Sequence, residues 1–84
     1  MFDTIEAAVQ AHRNAAAAHH HSRAEHDNPG MDAAIARIRT VEEFLRSRGR
    51  HDLIQPLTME WVTEGGNAAE HLHYQRLVNH LLGR

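Results

Sequence analysis

Between Met31 and Leu45, apolar residues return at Met31, Ala34, Ile35, Ile38, Val41 and Leu45, a spacing that lays one stripe along an α-helix. Three other stretches carry helical patterns. The longest runs from Asp3 to about Glu25 and reads best as a heptad seam: Phe2, Val9, Ala16 and Arg23 form one column, Ile5, His12, His19 and His26 the other. That seam starts apolar and turns polar. Between Asp52 and Glu64, the residues Leu53, Ile54, Leu57, Met59, Trp61 and Val62 fall on more than one face, as in a short helix contacted from several sides. From Asn67 onward, Tyr74, Leu77, Val78, Leu81 and Leu82 form a last stripe, with Glu70 and His71 at its N-terminal end. No alternating run marks a strand.

The punctuation agrees with this division. Asn28-Pro29-Gly30, Gly49 and Gly65-Gly66 break the chain, predicting helices over 3–25, 29–48, 53–64 and 68–82 in a single domain spanning 1–84. Asp3 with Glu6 has the form of a capping box behind Phe2, and Asn67 with Glu70 repeats it. Asn28 or Asp32 is the expected cap of the second helix. Pro56 interrupts the third early, so its regular part is expected to start at Pro56 or Leu57, after a turn. The fold class that follows is all-α, a small bundle of three to four helices with a long N-terminal helix.

Composition changes the picture in one respect. The chain has 84 residues, of which 42 % are apolar, and much of that fraction is alanine. Alanine favours helix but gains little on burial, so the core of a monomer is thin. A partner protein or a second copy of the chain is the expected remedy. A helix of about 22 residues is roughly 33 Å long and would project beyond shorter neighbours. The expected partner-binding surface is therefore Phe2, Ile5, Val9, His12, Ala16 and His19, with exposed parts of Trp61 and Tyr74. Histidines neutral in such a contact and charged outside it would favour association above their pKa.

Charge and cysteine content narrow the function classes. There is no cysteine, which excludes disulfides and thiolate metal sites. The opening stretch Met1-Phe2-Asp3-Thr4-Ile5-Glu6 has no basic n-region and no stretch is long enough for a membrane span, so no membrane association and a cytoplasmic location are expected. Nine arginines and no lysine, against eleven acidic residues, give a net charge of −2, which is not the bulk signature of a nucleic-acid binder. The arginine-for-lysine preference reads as GC-rich coding bias. One local cluster stands apart: Arg46, Arg48 and Arg50, with Arg37 and Arg39 earlier on the same helix, could meet phosphates. Glu42 and Glu43 lie among them, and cations at a helix C-terminus are also favoured by the helix dipole.

Nine histidines raise the question of metal. His12, His19 and His26 recur every two turns, too far apart for neighbours to share an ion, and His21 with Glu25 is a lone pair. Glu70 and His73 form Glu-x-x-His, the spacing that helical bundles use at dimetal carboxylate centres. Completing such a centre would take a second copy and a carboxylate from Glu42, Glu43, Glu60 or Glu64. The plainer reading has Glu70 capping its helix and the histidines at the surface. Ser22 and Ser47 lie in no nucleophile elbow, and Gly65-Gly66-Asn67 reads as a helix stop and cap rather than a phosphate loop. Neither catalysis nor a bound cofactor is expected. The expectation is a protein-interaction module, with nucleic-acid binding and metal binding as alternatives.

Overall fold

The computed structural model describes residues 2–83. They form α1 (Ile5–Ala24), α2 (Asn28–Ser47), a 3₁₀ turn (His51–Leu53), α3 (Ile54–Glu64) and α4 (Ala68–Leu81), with no strand among the described residues. This is the all-α bundle with a long first helix that the pattern predicts.

The helix ends show which cap wins at each start. Thr4, in extended conformation, accepts the Ala7 N–H at 3.0 Å, so α1 begins after Thr4 and Asp3 stands outside it. Asp27, ahead of both expected candidates, caps α2 by accepting the Gly30 N–H at 3.1 Å. Any Cβ on Gly30 would run into the Ser22 and Asp27 side chains, which is why glycine fits there. Pro56 does not start α3. It is the third residue of that helix, where a missing N–H costs no hydrogen bond. Asn67 caps α4 as predicted, its Oδ1 accepting from Ala69 and Glu70 at 3.1 and 3.2 Å.

α1 and α2 form an antiparallel hairpin, with the Phe2 ring edge-on to Phe44 at one end and Ser22 beside Gly30 at the other. α3 and α4 form a second hairpin, joined to the first chiefly where α3 meets α1. The result is a slab of 36 × 31 × 15 Å. Its main core lies at one end and draws on every helix: Ala8, Val9, Val41, Phe44, Leu45, Leu53, Leu57 and Val78, closed over by Phe2, Ile5, Ile54, Leu81 and Leu82. Arg50 fastens this end by donating to the Leu81 carbonyl at 2.8 Å.

Two expectations about α1 give way. It does not project, because α2 is also 20 residues long and runs beside it. Nor does its seam face outward. Val9, His12 and Ala16 are each only 2 % exposed, and Phe2 and Ile5 pack on the chain's own core. The heptad stripe packs against α2 and α3 of the same chain. No helix among the described residues is long and apolar enough to cross a membrane.

Candidate functional site

Away from the apolar core, the contact between α1 and α3 becomes polar. Arg13 forks onto Glu60, its Nε 2.7 Å from Oε1 and its Nη2 3.2 Å from Oε2. The Glu60 side chain is 4 % exposed and that of Arg13 20 %, so a buried carboxylate has both its oxygens engaged by a partly exposed guanidinium. His12 lies inside the same contact, and its Nε2 is shut off from solvent with no hydrogen-bond partner. Burial lowers its pKa from 6.5 to about 4. Glu60 opposes that shift and Arg13 adds to it.

Further along the seam, the His20 ring lies with Nε2 2.8 Å from the Trp61 carbonyl, which fixes that nitrogen as the donor. His19 stands edge-on to the Trp61 indole, ring centres 5.0 Å apart, and its buried Nδ1 has no partner. Its pKa is also lowered, first by burial and then by His20 and Arg23. His26 turns the chain beyond α1 with φ at 56°, a left-handed conformation.

On the second hairpin, α3 and α4 leave an open groove of about 460 Å³. Pro56, Met59, Tyr74 and Leu77 supply its apolar wall, and His51, Asp52 and Gln55 its polar end. Val62 (60 % exposed) stands one turn along α3 from Met59, and Leu72 (48 %) is the most open large apolar residue of α4.

The other residues singled out in the sequence fall as follows. Arg46 is exposed and pairs with Glu42 at 3.5 Å; Arg48 lies over the Phe44 ring; Arg50 holds Asp52 as well as Leu81. Arg50 also keeps the Asp52 carboxyl below the usual carboxylate range through its hydrogen bond. The expected phosphate patch is thus partly committed to the fold. Glu70 and His73 are both exposed, and the described residues bring together no cluster of three metal-ligating side chains. Glu60, weighed as a metal carboxylate, is the partner of Arg13 instead. Trp61 and Tyr74, expected at a contact surface, are half-buried; Trp61 backs the histidines and Tyr74 lines the groove. The Arg13–Glu60 pair was not legible, since nothing local links two residues 47 positions apart. Comparison with protein-family models, curated proteins and solved structures finds no match to this chain.

Proposed function

We propose that the chain is a small protein–protein interaction module, an accessory subunit, adaptor or regulator that works by helix–helix association. The observation that carries this reading is the state of α4. It is a 14-residue helix that buries Val78 alone, while Tyr74 and Leu77 line an open groove and Leu72 faces solvent. An amphipathic helix from a partner would lay its apolar side chains against Pro56, Met59 and Leu77, with polar groups at His51, Asp52 and Gln55 fixing its register. The contact surface is moved by this reading from α1, whose seam is occupied, to the α3–α4 face. The partner is a second copy or a larger protein, and the setting is the cytoplasm.

Light scattering over a range of concentrations, with affinity capture from the native host, tests the proposal. Val62→Glu and Leu77→Glu should keep the helical circular dichroism spectrum and weaken association at least about tenfold, because a charge is placed where a partner must desolvate it. A chain that stays monomeric at every concentration and retains no host protein would overturn it.

A further inference from the structure

The seam between α1 and α3 is built in two halves of opposite chemistry. Its near half is the apolar core, with Ala8 and Val9 on α1 and Leu53 and Leu57 on the 3₁₀ turn and α3. Its far half consists of His12, Arg13, His19 and His20 against Glu60 and Trp61. No large aliphatic side chain stands behind that half on α1, where the other buried residues are Ala15, Ala16 and Ser22.

We propose that this far half is an acid-released jaw: neutral His12 and His19 hold the end of α3 against α1, and their protonation opens it while the apolar end stays closed. The inference is independent of what binds the α3–α4 groove.

The geometry leaves a proton on His12 without a host. Its Nε2 is buried and unpartnered, and the nearest carboxylate, Glu60, has both oxygens taken by Arg13. Arg13 is itself a positive neighbour. α2 offers no relief, for the side chains it buries are Ala34, Ile38, Val41, Phe44 and Leu45. α4, packed on α3, carries His71, whose buried Nδ1 is likewise unpartnered. A proton on His19 adds a charge beside His20 and Arg23, at a ring whose buried Nδ1 has no partner. His20 already donates to the Trp61 carbonyl, so that bond survives protonation and does not resist opening by changing sign.

The direction with pH follows. His12 in the closed jaw titrates at about 4, against 6.5 when freed. The open form therefore takes up a proton in that window that the closed form refuses. The jaw is fully held above 6.5 and weakens as the pH falls towards 4.

Trp61, the only tryptophan, reports directly. On lowering the pH from about 7.5 to about 4.5, its emission should shift to the red and its nuclear Overhauser contacts to His19 should vanish, in the window where histidine charges. The helical dichroism and the Phe2–Phe44 contact should persist over the same range. His12→Leu should move the Trp61 transition down by at least about one pH unit, and His19→Gln, at a half-exposed position, should move it down by less. Simultaneous loss of the Trp61 contacts, the Phe2–Phe44 contact and helicity would overturn the proposal in favour of plain acid unfolding. A wild-type Trp61 signal unchanged down to about pH 4.5 would overturn it as well.

Discussion

At the scale of single residues, the feature that most constrains the molecule is a carboxylate taken out of water. Glu60 is tolerable in its buried position because Arg13 satisfies both oxygens in one plane. Removing the arginine alone strands a charge, whereas removing both charges replaces a costly polar contact by an apolar one. Arg13→Met should therefore lower the unfolding free energy by about 3–5 kcal/mol, and Arg13→Met combined with Glu60→Met should recover most of that loss. Urea melts of the two variants beside the wild type would check this; an additive double variant would show that the pair is not coupled. The pattern of apolar positions put His12 on a seam to be covered by a partner, whereas the chain's own helices cover it. A heptad column says which face of a helix is buried, and the identity of the covering residues depends on which helix arrives there.

At the scale of helices, glycine and proline made the boundaries legible, and ambiguity between neighbouring capping residues blurred them by a position or two. Asp27 and Asn28 both have side chains suited to an N-cap. Only Asp27 lies outside the helical conformation with its oxygen on the Gly30 N–H, while Asn28 is already the first residue of α2. Asp27→Ala should thus cost about 1 kcal/mol, and Asn28→Ala no more than a few tenths. Thermal melts with the two effects reversed would assign the cap to Asn28. The same ambiguity explains the shift of the α1 cap from Asp3 to Thr4. At Pro56 the reason differs, because proline is compatible with any position in a first turn and so marks a helix start only to within a few residues.

At the scale of the whole molecule, the sequence foretold a thin core but misplaced the face that it leaves open. Twelve apolar residues are buried among those described, four of them alanine, and the slab is 15 Å deep. The length of α2 decided the matter: a helix as long as α1, carrying its own continuous stripe, absorbed the seam that would otherwise have faced a partner. Val9→Glu would for that reason unfold the chain instead of reporting on association. What remains open is α4, the last helix added, which has only α3 as a broad neighbour. Because the main core takes residues from all four helices, they should nevertheless unfold together at neutral pH. Leu45, fully buried at the centre of that cluster, tests this point. Leu45→Ala removes three heavy atoms where the helices cannot fully collapse, so the unfolding free energy should drop by about 2–5 kcal/mol. The denaturant midpoint should move with no change in slope, and helix dichroism and Trp61 emission should trace one curve before and after the substitution. Two separated curves at neutral pH would mean that the hairpins fold independently, and that the shared apolar end does not hold them as one unit.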